Sequence, residues 1–554
     1  MAERTRDGGG TRVEQAERIE QAELDERERP EQPAEPERRP TYKTLDEQQG
    51  RLTETEERFE RGRRTVGLFL GPLVFLALLA LPLDLDGKQQ GLAAVLALVV
   101  VWWISEAIPI PITGIVGLCL CVILNVASAD DVFGSVFDST ILLFIGSFII
   151  AEAMLVHGLD RRFAFNILGL RWVGNSTYRI IIAFGFIGAA TSPFMSNTGA
   201  AAMMLPIALG VMASVGRLII GQAEGEDRPE RLRFGAALML VITYGITIGG
   251  LLLPIGSPPN LIGRGLIEDE TGEPITFFEW FLTALPIVLV MFVALIVVIL
   301  WLNRPEVKRV EGVEEFIAEE KRKLGRLSAG ERNTLIAFGV AITLWTLPGL
   351  VGLFVGDDSK LYEGLTDRWL DEGVVAALAA GLLFVLPIDW GRRQFTLNWN
   401  QASRIDWGTI LLFGAGIALG GLMRDTGLAK TIGEGLANTL NVSSLVAITI
   451  VCVVIAVIIS ETTSNTASAA IVVPIAIAIS GAVGVNPMIP ALAAIFGANY
   501  GFMLPVSTPP NAIVYSSGML PITRMVKTGA VFDVIGAVLC VVGVAVMANL
   551  VGLV

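Results

Sequence analysis

The sequence holds a single histidine, His157, and only four cysteines, Cys119, Cys121, Cys452 and Cys540. One imidazole argues against histidine-based metal catalysis. Four thiols, all set in apolar runs, indicate neither a disulfide framework nor a metal cluster. Charged residues are also scarce, at 17% of 554, with a formal net charge of −13 and a bias to Arg over Lys. No basic stripe or aromatic platform is present, so nucleic acid is not an expected partner. No Gly-x-x-x-x-Gly-Lys-Ser/Thr loop offers a nucleotide site, which counts against a primary pump. Paired aspartates, a Ser-His arrangement or zinc ligands of the kind an intramembrane protease needs are not seen, so an enzyme is not expected. A channel's ring-forming filter motif is missing as well. The first apolar run begins only after a strongly charged stretch, residues 1–64, so a cleavable signal peptide is not expected.

What the chain has instead is apolar length. Hydrophobic residues make up 53% and the mean hydropathy is +0.63. A bilayer-crossing helix takes about 20 apolar residues, and the runs are long enough, so the fold class is an all-α polytopic membrane protein. About 11 spans are expected, near 65–83, 91–108, 111–126, 139–157, 235 onward, 278–302, 334–352, 373–388, 407–423, 489 onward and 529–552. Two further apolar stretches, 180–212 and 443–480, are expected to be re-entrant hairpins. Residues 1–64 are rich in Glu, Arg, Gln and Pro and cannot bury a core, so they read as a disordered cytosolic tail, helical in part at most. Residues 304–332 read as a charged cytosolic connector. The expected plan is span 1 over 65–90, a first repeat over 91–303 and a second over 333–554.

Each re-entrant stretch carries the same phrase. Ser196-Asn197-Thr198 follows Ser192 by four residues, and Ser464-Asn465-Thr466 follows Ser460 by four. The landmarks recur at nearly constant offsets. Thr140-Ile-Leu-Leu-Phe and Thr409-Ile-Leu-Leu-Phe differ by 409 − 140 = 269, the phrases by 464 − 196 = 268. Ser257-Pro258-Pro259-Asn260 and Thr508-Pro509-Pro510-Asn511 differ by 508 − 257 = 251, because the loop after the first phrase is longer. This is an internal duplication. Arg and Lys near span ends, in 161–179, 217–233, 308–332, 392–404 and 524–527, fall on one side if the N-terminus is cytosolic. The C-terminus is then exterior. Five spans separate spans 1 and 7, so the halves are inverted in the membrane.

Small polar side chains in apolar surroundings need a purpose, since an unsatisfied polar group there costs several kcal/mol. A hairpin turn at mid-membrane depth exposes helix N-termini, whose N–H groups and dipoles suit an anion. Serine hydroxyls, asparagine carbonyls and unwound backbone carbonyls are hard oxygen ligands suited to an alkali cation. Helix packing alone also uses Ser, Asn and Thr, but two copies, each paired with a Pro-Pro-Asn helix break, favour a site. Proline opens the helix there by removing donors.

In these paired motifs, and over residues 65–554, the chain resembles the divalent anion:sodium symporter family, carriers of di- and tricarboxylates or sulfate. The resemblance implies a homodimer in the cell membrane, each protomer with a scaffold and a transport domain that moves as an elevator. It implies two sodium ions per protomer. The first site would use Ser192, Ser196, Asn197 and the backbone at Gly256, the second Ser460, Ser464, Asn465 and the backbone at Ser507. The small anionic substrate would be held by Asn197, Thr198, Ser257 and Pro258 from one half and by Asn465, Thr466, Thr508 and Pro509 from the other. No Lys or Arg lies near either phrase in the sequence, so sodium and helix dipoles are expected to balance the anion's charge. The function implied is sodium-coupled uptake of succinate, malate, fumarate or citrate, with sodium-independent exchange or sodium:sulfate symport as alternatives. Glu461 is weighed as a supporting group for the second hairpin; Glu106, Glu152, His157, Arg424 and Lys430 read as interfacial, structural or loop residues.

Overall fold

The computed structural model describes residues 54–134, 139–220, 232–356, 359–365, 369–440 and 442–553, all within one compact unit, Thr44–Val554. The tail reading thus falls mostly on residues outside those described. Residues 54–64 are helical and run into the first apolar helix.

The helices of seven or more residues, in order, are α1 (Glu54–Ala80), α2 (Gly87–Ser105), α3 (Ile110–Ile123), α4 (Ser139–His157), α5 (Leu159–Leu168), α6 (Thr177–Thr191), α7 (Asn197–Ile220), α8 (Arg233–Gly249), α9 (Pro258–Thr271) and α10 (Phe277–Leu302). After them come α11 (Val313–Lys323), α12 (Ala329–Val355), α13 (Glu372–Val385), α14 (Trp407–Asp425), α15 (Leu428–Leu440), α16 (Leu445–Thr462), α17 (Asn465–Val483), α18 (Met488–Ala498), α19 (Pro509–Tyr515) and α20 (Ile522–Val551). Nine helices found among the described residues are long and apolar enough to cross a membrane. A short antiparallel pair, β1 (Pro387–Asp389) with β2 (Gln394–Phe395), is a small departure from the all-α expectation.

Local chemistry sets the helix starts. Asp86 caps α2 by accepting from Gln89 N at 2.9 Å, and Thr276–Glu279 and Ser328–Glu331 form capping boxes for α10 and α12. Such boxes satisfy two of the N–H groups a helix leaves unpaired. The duplication persists in three dimensions. α4, α5, α6, α7, α8 and α9 are matched in order by α14, α15, α16, α17, α18 and α19, and α7 and α17 both begin at the Asn of the phrase.

The core is built on the mates α8 and α18. Every residue from Phe234 to Gly249 is buried, and so is all of α18. α6 packs directly on α8: a Cβ on Gly249 would lie 2.2 Å from the Ala189 carbonyl oxygen, and one on Gly245 2.8 Å from that of Gly185. Without a hydrophobic drive between helices in lipid, close backbone approach of this kind supplies the packing energy. The outer helices face the other way. On α20, Val534, Val538, Val542, Val546 and Leu550 form an exposed stripe, each at least half accessible. Its inner stripe is Gly529, Phe532, Asp533, Gly536, Cys540, Val544 and Ala548. A four-residue spacing on both faces is what a lipid-facing helix requires.

The connector helix α11 is tied to α5. Arg161 pairs with Glu320. Arg162 holds Glu331 and donates to the carbonyls of Leu324 at 2.8 Å and Gly325 at 3.0 Å. Lys323, hydrogen-bonded at 2.8 Å, and Arg161 hold the Glu320 carboxyl below the usual carboxylate range.

Candidate functional site

Both phrases sit where one helix stops and another starts. α6 ends at Thr191, a short 3-10 turn covers Ser192–Phe194, and α7 starts at Asn197. Ser192 is wholly buried and its Oγ donates to Asn197 Oδ1 at 2.6 Å. Ser196 is exposed, its Oγ accepting from Gly199 N at 3.1 Å as the cap of α7. The second copy repeats this. Ser460, also wholly buried, donates to Asn465 Oδ1 at 2.8 Å and to the Ala498 carbonyl at 2.8 Å. Ser464 caps α17 by accepting from Ala467 N at 3.2 Å. Thr198 and Thr466 are both half-buried at the second position of their helices.

The helix breaks complete each copy. After α8 the chain unwinds through Gly250–Ser257 before α9, and after α18 through Asn499–Thr508 before α19. One asparagine braces each break. Asn260 Nδ2 donates to the carbonyls of Gly250 at 2.8 Å and Leu253 at 2.9 Å; Asn511 Nδ2 donates to those of Gly501 at 2.7 Å and Leu504 at 2.9 Å. Every atom in the second set is the first displaced by 251 residues. The third residue of Pro-Pro-Asn therefore holds the unwound turn in shape, satisfying carbonyls that no helix serves.

Phrase and break meet at a glycine in each half. A Cβ on Gly250 would lie 3.1 Å from the Gly256 carbonyl oxygen, 3.2 Å from Asn197 Oδ1 and 3.3 Å from Ser192 Oγ. Three oxygens converge on a point that only a glycine leaves open, a donor set of hard, neutral oxygens that fits an alkali cation. At Gly501 a Cβ would lie 3.1 Å from Asn465 Oδ1, 2.8 Å from Ser507 Cβ and 3.3 Å from Thr508 Cγ2. A Cβ on Gly256 would itself meet the Gly250 carbonyl oxygen at 2.5 Å, so this position admits no side chain.

The two halves join through Asn499. Ser257 Oγ donates to Asn499 Oδ1 at 2.6 Å, Asn499 Nδ2 donates to Asn260 Oδ1 at 2.9 Å, and Asn465 Nδ2 donates to the Asn499 carbonyl at 3.0 Å. Thr243 Oγ1 reaches across to Asn511 Oδ1. Ser257, Asn465 and Thr508 are thus brought into one buried polar cluster, with Thr508 capping α19 through Asn511 N at 3.4 Å. Pro258 opens α9 half-buried, and Pro509 opens α19 exposed. Ser507 is buried, its Oγ donating to Glu461 at both the main-chain O and Oε2, each 2.9 Å.

Several residues here escaped the reading of the sequence. Gly250, Gly501, Asn260 and Asn511 lay inside the duplicated breaks and the 251-residue offset marks them all. Asn499 has no such signal, because its counterpart by that offset is Ile248. The expectation that no basic residue lies near either phrase is corrected: Arg63, on α1, donates to the Thr462 carbonyl at 3.1 Å, two residues before Ser464, and pairs with Glu106 at 3.6 Å. A contact spanning 399 residues leaves no local trace. His157 is structural, its Nε2 2.7 Å from the Thr396 carbonyl. Arg424 binds the Asp269 carbonyl and Lys430 lies 3.9 Å from Glu434.

Comparison with known proteins places the chain in a family. A family described as "Sodium:sulfate symporter transmembrane region" matches residues 64–554. A protein of Staphylococcus saprophyticus named sodium-dependent dicarboxylate transporter SdcS is 34% identical over 474 residues, 84% of this chain and 87% of its own. Its Staphylococcus aureus namesake is 32% identical over 490 residues, 86% of this chain and 89% of its own. Among solved structures, Neisseria gonorrhoeae MtrF aligns with a TM-score of 0.53 at 13% identity, covering 87% of this chain and 97% of its own, a likeness of fold alone. With a family match over nearly the whole apolar region and relatives above 30% identity across most of their length, the chain belongs to the sodium:sulfate symporter family, the divalent anion:sodium symporters that its paired motifs resemble.

Proposed function

We propose that this protein is a secondary active transporter that couples inward sodium flow to uptake of di- or tricarboxylates of the succinate, malate, fumarate and citrate class. The observation that carries this reading is the pair of glycine-lined turns related by the internal repeat and joined at Asn499, with three oxygens converging at Gly250 and the Asn465 amide oxygen facing Gly501. One sodium ion is held by Ser192, Ser196, Asn197 and the Gly256 carbonyl; a second is held by Ser460, Ser464, Asn465 and the backbone at Ser507. The anion lies between them, against Asn197, Thr198, Ser257 and Pro258 and against Asn465, Thr466, Thr508 and Pro509. The N-termini of α7 and α17 present unpaired N–H groups and partial positive charge toward it. Neutral side chains alone leave a carboxylate uncompensated, so the sodium ions supply the positive charge. Substrate binding then depends on cation concentration, which is the physical basis of coupling.

Alternating access follows an elevator in each protomer of a homodimer, with the N-terminus cytosolic and the C-terminus exterior. The stretches 180–212 and 443–480 enter and leave on one side each, and the repeats 91–303 and 333–554 are inverted about the 304–332 connector. The Arg63–Thr462 contact supports this reading. It sets the turn of the second hairpin, which opens to the exterior, against the cytosolic start of span 1, where an inward-displaced transport domain carries it. Uptake of labelled succinate, malate, citrate and sulfate into proteoliposomes, with and without a sodium gradient, tests the proposal. Sodium-stimulated uptake of a carboxylate supports it; strict dicarboxylate exchange indifferent to sodium, or a sulfate-only response, overturns it.

A further inference from the structure

The seam where α6 starts and α10 ends has an apolar half and a cationic half, and the transport site uses neither. α10 packs on α6: a Cβ on Gly185 would lie 3.3 Å from the Phe292 ring and 3.5 Å from Ile296 Cδ1. The outer flank of the pair is uncovered. Val293, Val297 and Trp301, four residues apart, are 62%, 61% and 73% exposed, and Phe186 on α6 is 49% exposed. On a helix that crosses a bilayer, a stripe at this spacing lies against acyl chains. Trp301 closes the stripe, where a tryptophan sits at headgroup depth.

Beyond Trp301 the chain turns back and pairs with the segment leading into α6. Val310 N donates to the Asn175 carbonyl at 2.8 Å and Thr177 N to the Lys308 carbonyl at 3.3 Å. Thr177 Oγ1 donates to the Val307 carbonyl at 2.6 Å. This pairing gathers cations at the end of the stripe. Arg304 Nε donates to Tyr178 Oη at 3.3 Å, and Arg179 Nη1 to the Trp172 carbonyl at 3.0 Å. Lys308 and Arg309 lie on the paired segment, and Arg171 adjoins Trp172. All five cations are exposed, and none pairs with a carboxylate among the described residues. Glu306, the acid within their segment, is turned to α8, accepting from Arg233 N and Phe234 N at 2.5 and 3.1 Å.

Uncompensated cations at headgroup depth, continuous with a lipid-facing stripe, match an anion that carries tails. We propose that this seam binds an anionic phospholipid, its phosphate held by Arg179, Arg304 and Lys308 and its acyl chains lying on Phe186, Val293 and Val297. Arginine meets a phosphate with a fixed fork of donors and lysine as a point charge. Each cation near an anionic lipid surface strengthens attachment about fivefold. A free phosphate leaves the apolar half unused. A second copy of this chain, docked here about a two-fold axis, brings the same cations against these. The inference is independent of the sodium and carboxylate assignments.

The test is native mass spectrometry of the full-length protein in detergent, titrated with phosphatidylglycerol, phosphatidylcholine and sn-glycerol 3-phosphate. Wild type is expected to retain phosphatidylglycerol over phosphatidylcholine, and glycerol 3-phosphate not to displace it. Arg179→Gln, Arg304→Gln and Lys308→Gln together lower that preference tenfold or more. Arg326→Gln, Arg392→Gln and Lys527→Gln together remove the same charge from exposed positions elsewhere and leave it within about twofold. A second measurement keeps every cation in place. Phosphatidylglycerol brominated in its acyl chains quenches tryptophan fluorescence more than brominated phosphatidylcholine does, and Trp301→Phe removes part of that excess. Equal retention of the two lipids, displacement by glycerol 3-phosphate, or an equal loss in both triple variants each overturns the proposal. So does an excess quenching that W301F leaves untouched, or a first triple variant that sheds a second copy of the chain while keeping its lipid.

Discussion

Gly250 offers the sharpest perturbation of the first cradle, because its backbone tolerates alanine and its surroundings do not. Its φ of −57° is ordinary right-handed helix, so Gly250→Ala incurs no conformational strain and gains about 0.4–1 kcal/mol by restricting the unfolded chain. The added methyl group sits 3.1–3.3 Å from Gly256 O, Asn197 Oδ1 and Ser192 Oγ. Those contacts are a few tenths of an ångström too close, and crowding of that order costs about 1–3 kcal/mol. The net fold penalty is about 1–2 kcal/mol, small enough for an intact protein. The functional penalty is larger if the space belongs to a cation, since the methyl occupies the point on which its ligands converge. A tenfold rise in the half-saturating sodium concentration corresponds to about 1.4 kcal/mol, and G250A is expected to reach or exceed it. Thermal unfolding gives an independent reading. A site filled at 100 times its dissociation constant stabilises the fold by about 2.7 kcal/mol, and G250A loses the share this cradle contributes. Gly339→Ala, an exposed helical glycine whose Cβ meets nothing within 4 Å, is the control. G250A with the wild-type sodium response in both assays would refute the cradle.

Other outcomes follow from the same geometry. Asn197→Ala and Asn465→Ala each abolish sodium-dependent uptake, because each removes an amide shared by cation and anion; full uptake with either would sink the site assignment. Asn499→Ala leaves Ser257 Oγ and Asn260 Oδ1 without their side-chain partner in the interior, at about 1–3 kcal/mol for each unmade bond, while Asn465 keeps its bond to the main-chain carbonyl, so a lower melting temperature accompanies the loss of uptake. Glu320, held below the usual carboxylate range by Lys323 and Arg161, contributes to docking of α11 above its unfolded value and loses that contribution as pH falls through its lowered folded value. A spin label at position 315 on a cysteine-free background should keep constant mobility from neutral to mildly acidic pH and loosen only below that. Loosening near neutrality would show that these ion pairs do not hold the connector.

How much of this was legible in the sequence depended on distance along the chain. The duplicated phrase and the Pro-Pro-Asn breaks are local, and a proline-opened helix start looks the same in sequence and in space. The helices α7, α9, α17 and α19 accordingly begin within a residue of where those motifs lie. The braces Asn260 and Asn511 stood in plain view, but their partners are carbonyls, which carry no side-chain signature. Gly250 and Gly501 were two of 59 glycines, and only the fold shows what their missing Cβ leaves open. Asn499 is an asymmetric feature without a counterpart in the other half, so the repeat could not point to it. Arg63 lay in a segment whose charge suggested a solvated tail; helix α1 carries it to the second phrase instead.

The central claim is that sodium supplies the charge that neutral side chains do not. It is tested most directly with purified protein in proteoliposomes that are empty of dicarboxylate, by measuring accumulation of labelled succinate after an inward sodium gradient is imposed. The two cradles predict accumulation that requires sodium, saturates with it, and disappears when potassium replaces it. Uptake that ignores sodium and appears only when the vesicles are preloaded with dicarboxylate would contradict that claim.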